Sequence, residues 1–312
     1  MVRYVGAKGN RLPRNIEDDP AVYGPGATAQ NADQRRVYAN CPAGGGTCDF
    51  STIAMLSYIT HSMYNAAQIS LSRHYTAGIG FSVSYWLSKS MDELSSMNLS
   101  GAAAKPLAGE NDLAQNPFDL GSEYGPSLFD ARHRLVASAS WEPKVSASAS
   151  PVVQRIFGGW QINAIASMNS GTPFTVTDSA NVALQANSPP ISGFAASRPN
   201  LVGDPNAGPQ TIGQWMPAAA FQRLNPITQA GQFGNEPRNA VRGPGYADID
   251  MSLVRNIALT QGLRLELRVE AFNLTNITNL GLPVADLNSP TFGQILSAGP
   301  PRLMQFAAKL VF

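Results

Sequence analysis

Residues 263–272 read LRLELRVEAF. Leu263, Leu265, Leu267, Val269 and Ala271 take alternate positions, with Arg264, Glu266, Arg268 and Glu270 between them. A period of two places these sets on opposite faces of a β-strand, whereas a helical turn would scatter the leucines around its axis. Four charges on one side of a single strand need water or one another. They are candidates for lining a path, or for a structural ladder that pairs with charges on neighbouring strands.

The same period recurs along the chain. GIGFSVSYWLSK (78–89) sets Ile79, Phe81, Val83, Tyr85 and Leu87 against Gly80, Ser82, Ser84, Trp86 and Ser88. Weaker alternation runs through NAAQISLSR (65–73), HRLVASASW (133–141), WQINAIASM (160–168) and ADIDMSLVRN (247–256). VRYV (2–5) reads as the end of a strand cut short. The last stretch, PRLMQFAAKLVF (301–312), alternates Met304, Phe306, Ala308, Leu310 and Phe312 with polar or small residues. About eight strands are expected in all.

The connections between them alternate in length. The links near 74–79 and 257–262 are very short and that at 143–157 is intermediate, while 7–61, 90–130, 170–246 and 274–300 are long. Long structureless loops count against a compact soluble domain. An antiparallel transmembrane β-barrel segment predicts this pattern, with strands of roughly 10 residues, short periplasmic turns and long extracellular loops. Placing the terminal strand inward puts every short link on the periplasmic side and every long one outside. A soluble β-sandwich is the competing reading, because its strands alternate equally well.

Composition fits a surface that faces something other than bulk water. Hydrophobic residues make up 44% of the chain and charged residues 14%, against roughly 25% charged in average soluble proteins. The net charge of +1 leaves no electrostatic footprint for nucleic acid. No apolar run reaches the roughly 20 residues of a membrane-spanning helix, and MVRYVGAKGN lacks the apolar centre of a secretory signal. Cys41 and Cys48 flank a glycine-rich stretch. A small disulfide ring is the expectation in an oxidising compartment, with two free thiols in a loop as the alternative.

Sequence signals for catalysis are weak. FDARHR gathers Asp130, Arg132, His133 and Arg134, but no nucleophile elbow accompanies them, and a loop-to-strand junction at a rim is the simpler reading. RNAVRGPG (238–245) offers two arginines among glycines. A phosphate cradle requires a helix to follow; a strand follows here, so a rim turn is expected. No P-loop, dinucleotide fingerprint or metal cluster appears, and neither enzymatic activity nor a cofactor is expected. Tyr85, Trp141, Trp160 and Phe312 sit near strand ends, where a membrane girdle places amphipathic rings. Trp86 falls on the polar face.

Several stretches carry a family resemblance: YNAAQISLSRHYTAGIGFSVSYWLSKSMD, NPFDLGSEYGPSLFDARHRLVASASW, FGGWQINAIASMNSGTPFTV, SRPNLVGDP, GQFGNEPRNAVRGPGYADIDMSLVRN, LRLELRVEAFNLTN and PTFGQILSAGPPRLMQFAAKLVF. In this order they resemble the C-terminal barrel portion of Oar-like TonB-dependent outer-membrane receptors. The resemblance implies about eight strands of a barrel of roughly 22, filled in the parent by an N-terminal plug. Residues 1–312 match only the C-terminal part of that barrel, with no counterpart of the signal peptide or plug, so a fragment inactive alone is expected.

The resemblance also implies an outer-membrane location in contact with lipid, ligand uptake, and coupling to TonB only through the plug region. The transported ligand is left open, and loop 170–246 is the expected contact region in this piece. Arg264, Glu266, Arg268 and Glu270 would face the lumen and its plug. Phe306, Ala308, Leu310 and Phe312 resemble the C-terminal signal read by the barrel-assembly machinery. Two alternatives remain at this level: a complete small outer-membrane barrel with a structural or adhesive role, and a soluble β-sandwich binding module.

Overall fold

The computed structural model describes residues 1–42, 47–50, 53–95, 113–146, 148–178, 182–184, 197–260 and 262–312. Eight long strands form one antiparallel sheet: β1 (Val2–Glu17), β2 (Ala54–Thr76), β3 (Ile79–Asp92), β4 (His133–Trp141), β5 (Trp160–Asn169), β6 (Tyr246–Thr260), β7 (Leu263–Phe272) and β8 (Leu303–Val311). Each pairs with the next in sequence, and the path through the sheet runs from β1 at one edge to β8 at the other. Besides this sheet the described residues form only two two-stranded ladders, not the second broad sheet that a β-sandwich requires.

Register explains why the alternating stretches fold together. A one-residue slip would turn a strand's whole apolar set to the wrong face, and here the six strands from β3 to β8 agree. Phe81 lies opposite Ala139, which lies opposite Ala164, then Met251, Ala271 and Met304. The neighbouring row on the other face runs Gly80, Ser140, Asn163, Ser252, Glu270 and Gln305. Side chains knit that row together: Ser140 Oγ donates to Asn163 Oδ1 at 2.8 Å, and Asn163 Nδ2 donates to Ser252 Oγ at 3.2 Å. One face of the sheet is therefore apolar, and the other is hydroxyl-, amide- and charge-rich. From Ile79 to Leu87 the apolar run of β3 measures about 27 Å at roughly 3.4 Å per residue, comparable to the apolar band of an outer-membrane barrel, about 25 Å tall.

Three links lie at one end of the sheet, the turn end. Ala77 and Gly78 alone join β2 to β3, both with positive φ (55° and 86°), as a two-residue hairpin of the primed type requires. The link from β6 to β7 is equally short, Thr260 ending one strand and Leu263 opening the next, with Gly262 at a positive φ of 88°. Residues 142–159 join β4 to β5 and contain a short helix, α1 (Pro151–Phe157). It starts where Ser150 Oγ accepts from Val153 N at 3.4 Å and Pro151 opens the first turn, both usual at a helix N-terminus. The described residues of the four long links, 18–53, 93–132, 170–245 and 273–302, lie at the other end, the loop end.

Two expectations change. VRYV is not the end of a strand, because β1 continues through 16 residues to Glu17. The first long link is consequently 18–53, not 7–61, and β2 reaches 23 residues. Residues 6–17 and 54–64 lack clean alternation because their pairing rises past the apolar band, where neither face is selected for lipid.

A candidate ligand-facing site at the loop end

The described residues of the 170–245 link form a folded head, built on a narrow neck. After Asn169 and Tyr246 close the β5–β6 ladder, Gly243 N donates to Thr172 O at 2.9 Å, and Pro173–Phe174 pairs with Val241–Arg242. The two backbones approach so closely that a Cβ on Gly171 would lie 1.7 Å from Gly243 O. Glycine is required there for space.

Above the neck sits an apolar core of Phe174, Val176, Met216, Ala220, Phe221 and Val241. The 273–302 link closes it with Ala285, Leu287 and Phe292. Phe292 meets Phe221 edge-on at a centroid distance of 5.9 Å. Main-chain bonds tie the two links: Thr177 N to Ala285 O at 2.9 Å, Leu287 N to Thr177 O at 2.9 Å and Trp215 N to Gly293 O at 2.8 Å.

Buried charge fastens this head to the 93–132 link and to the tops of β1 and β3. Arg198 donates to both carboxylate oxygens of Glu123, each at 3.0 Å, a bidentate geometry that suits the planar guanidinium. Arg14, from the top of β1, approaches the same carboxylate at 3.9 Å. Arg238 binds the Asp92 carboxylate and donates to Glu123 O at 2.7 Å. Arg242 pairs with Asp130, whose other carboxylate oxygen accepts from Ser90 N at 2.7 Å. Gln115 completes the seam, donating to Gly234 O at 2.8 Å and accepting from Arg198 N at 2.6 Å.

Glu236 lies in the same region and is almost fully buried. Its Oε1 accepts from Val176 N at 3.2 Å, and Oε2 has no hydrogen-bond partner. Burial pushes its carboxyl up to about 8, opposed by the Val176 bond and the Arg198 charge.

The residues singled out in the sequence fall in several places. Arg238 and Arg242 are the rim arginines, and their partners are carboxylates of the loop end. Asp130 belongs to that seam, while His133 and Arg134 part company. His133 stacks on Tyr85, with Nδ1 2.7 Å from the phenolic oxygen. Arg134 lies over the Trp86 ring at 5.8 Å, on the polar face. Within β7, Arg268 donates to Glu266 at 2.9 Å and Glu270 at 3.4 Å, so these three charges of the row pair along their own strand. Register puts Arg264 opposite Val311 and Glu266 opposite Lys309.

On the other side of β8, Phe306, Ala308 and Leu310 lie opposite Val269, Leu267 and Leu265, and Phe312 follows the strand. Cys41 and Cys48 form a disulfide with an S–S distance of 2.05 Å, and residues 43–46 of the ring lie outside the described residues. So do 179–181 and 185–196 of the loop expected to contact ligand. Asp92, Glu123, Arg198 and Glu236 carry the seam without having been singled out. Their only signal is charge in a charge-poor chain, because the partners lie 60 to 146 residues apart.

A search of curated proteins finds no match. Among solved structures, P. aeruginosa FpvA bound to a heterologous pyoverdine with iron aligns at 12% identity and a TM-score of 0.39, over 98% of this chain and 26% of that one. The outer membrane transporter YddB from Escherichia coli aligns at 9% identity and a TM-score of 0.43, over 99% of this chain and 30% of that one. The chain thus spans under a third of the length of either. The family model described as an outer membrane beta barrel domain matches residues 1–305. With one continuous antiparallel sheet, an apolar face in register across it and long links gathered at one end, this chain belongs to the outer membrane beta barrel domain family and resides in the outer membrane.

Proposed function

We propose that residues 1–312 form the C-terminal barrel portion of an Oar-like TonB-dependent receptor, and that the loop end is its outward, ligand-capturing surface. The observation that carries this reading is the construction of the loop end. Four long links stand on one rim and two of them share an apolar core, while buried Arg–carboxylate pairs tie the 170–245 link to the 93–132 link and to β3. A receptor needs such a shaped outer platform; a purely structural wall needs only short connections. The polar row Arg264, Glu266, Arg268 and Glu270 then faces the lumen, where the parent's plug sits, and TonB acts through that plug. Phe306, Ala308, Leu310 and Phe312 form the lipid-facing row offered to the barrel-assembly machinery.

A complete eight-stranded barrel would require β1 to pair with β8. The path of the sheet instead has these two strands as its ends among the described residues, which favours a longer parent wall.

Orientation is tested by cysteine labelling, since the native cysteines are bonded to each other. Ile227→Cys, at a loop position that is 87% exposed, is expected to react with a membrane-impermeant maleimide on intact cells. Lys144→Cys, at the turn end, is expected to react only after the outer membrane is permeabilised. The reverse pattern rejects the assignment. Cross-linking of the full-length parent to TonB separates a receptor from a structural barrel, which would give none.

A further inference from the structure

Among the described residues, the link between β4 and β5 is the one turn-end connection with a helix of its own, and that helix carries exposed apolar side chains. In α1, Val152 and Ile156 are four residues apart, as are Val153 and Phe157, so all four share one face of the helix. They are 64%, 52%, 39% and 60% exposed in that order. Singly exposed apolar residues need no explanation, but a contiguous cluster of four does.

The side of the wall on which α1 lies is fixed by two bonds. Trp160 Nε1 donates to Ile156 O at 2.9 Å, and Arg255 donates to Arg155 O. Trp160 and Arg255 are register partners, and both belong to the apolar face, in line with Ile162, Leu253 and Leu267. The Arg255 guanidinium also lies over the Trp160 ring at 4.9 Å. Trp141, half exposed, ends the adjacent strand on that same face. The carbonyls of α1 are therefore held by side chains that project from the lipid side of the sheet, at its turn-end margin.

We propose that α1 is an interfacial anchor, lying in the phospholipid headgroup layer with Val152, Val153, Ile156 and Phe157 dipped into the acyl boundary. An amphipathic helix in this position gains from apolar burial and from cationic groups beside lipid phosphates. Arg155 and Arg255 supply the cations, and Trp141 and Trp160 supply rings of the kind that settle at the headgroup level. The occupant is lipid because the helix continues a surface that already meets lipid, and the tryptophan and arginine pair that holds it is itself part of that surface.

The test places nitroxides at Val152→Cys and Ile156→Cys in the full chain, in vesicles of phosphatidylethanolamine and phosphatidylglycerol. Ala137→Cys on the apolar face of β4 marks the membrane interior, and Ser148→Cys in the same link marks water. Collisions with oxygen and with a water-soluble nickel chelate report depth. Positions 152 and 156 are expected to favour oxygen several-fold over nickel, between the Ala137 and Ser148 values. Nickel access equal to that at Ser148 overturns the proposal, since the helix would then stand in water. Exclusion of both reagents also overturns it, since α1 would then be covered by protein. If Ala137→Cys also reads as water, the membrane placement of the whole wall falls, and the anchor with it.

Discussion

Arg238 reaches Asp92 across 146 residues of sequence, bonding both its carboxylate and its main-chain carbonyl, the latter at 2.5 Å. One side chain so ties the neck of the 170–245 head to the top of β3. Both partners are buried, and removing one leaves the other charge stranded, at a cost of about 3–5 kcal/mol. Arg238→Ala is therefore expected to loosen the loop end while the wall stays assembled. Limited proteolysis on intact cells checks this: cleavage in 197–237 should speed up strongly with unchanged barrel yield. Replacing both partners by apolar residues (Arg238→Met with Asp92→Leu) should restore part of the protection, because no buried charge then lacks a partner.

The neck makes a sharper steric prediction. A methyl group on Gly171 would overlap Gly243 O and approach its carbonyl carbon at 2.5 Å. Both contacts are with backbone, so neither can swing aside. Gly171→Ala should cost at least about 1–3 kcal/mol, the usual range for overpacking. Gly213→Ala, with nothing within 4 Å of its new methyl, should stay within about 0.5 kcal/mol. Thermal unfolding of the two variants in detergent checks the contrast.

The charge row of β7 should matter much less to stability. Arg268 bridges Glu266 and Glu270 from a side chain that is 43% exposed. Partly solvated pairs of this kind are worth about 0–1 kcal/mol, so Arg268→Gln is expected to leave the melting temperature nearly unchanged. A loss of several degrees in the full-length parent, but not in this chain alone, would show that the row meets the plug.

What could be read from sequence divides along a physical line. The apolar rows were legible because a period of two is local: Ile79 to Leu87 and Leu263 to Ala271 announce their faces within ten residues, and lipid on one side keeps the pattern clean. The upper part of β1 was missed because Gly6, Gly9, Pro13 and Arg14 face no lipid; pairing with β2 holds that segment, and pairing leaves little mark on composition. α1 carried its signals, Ser150 and Pro151 before an apolar turn, yet seven residues are too few for a helical period to emerge. The seam at the loop end was illegible for a different reason. Nothing near Glu123 reveals that Arg198 will bind it, because that contact exists only once the 93–132 and 170–245 links have folded against each other.

Glu236 gives the loop end a defined response to pH. Its carboxyl titrates near 8 in the folded head and near 4.5 when exposed. Burial is the main cause, with the Val176 bond and the Arg198 charge opposing it. Because the folded value is the higher one, the folded state keeps a proton that the unfolded state gives up. Stability from this group is full below about 4.5, falls as pH rises, and is gone above about 8. The loss is on the order of a few kcal/mol, at 1.36 kcal/mol per unit of pKa difference. Protease resistance of the head should therefore decline from pH 5 to pH 9. Glu236→Gln, which stays neutral and keeps an oxygen for Val176 N, should flatten that decline and leave the head more resistant than the native protein at pH 9. A native profile that rises with pH over this range, or a Glu236→Gln profile that falls as steeply as the native one, would exclude Glu236 as its source.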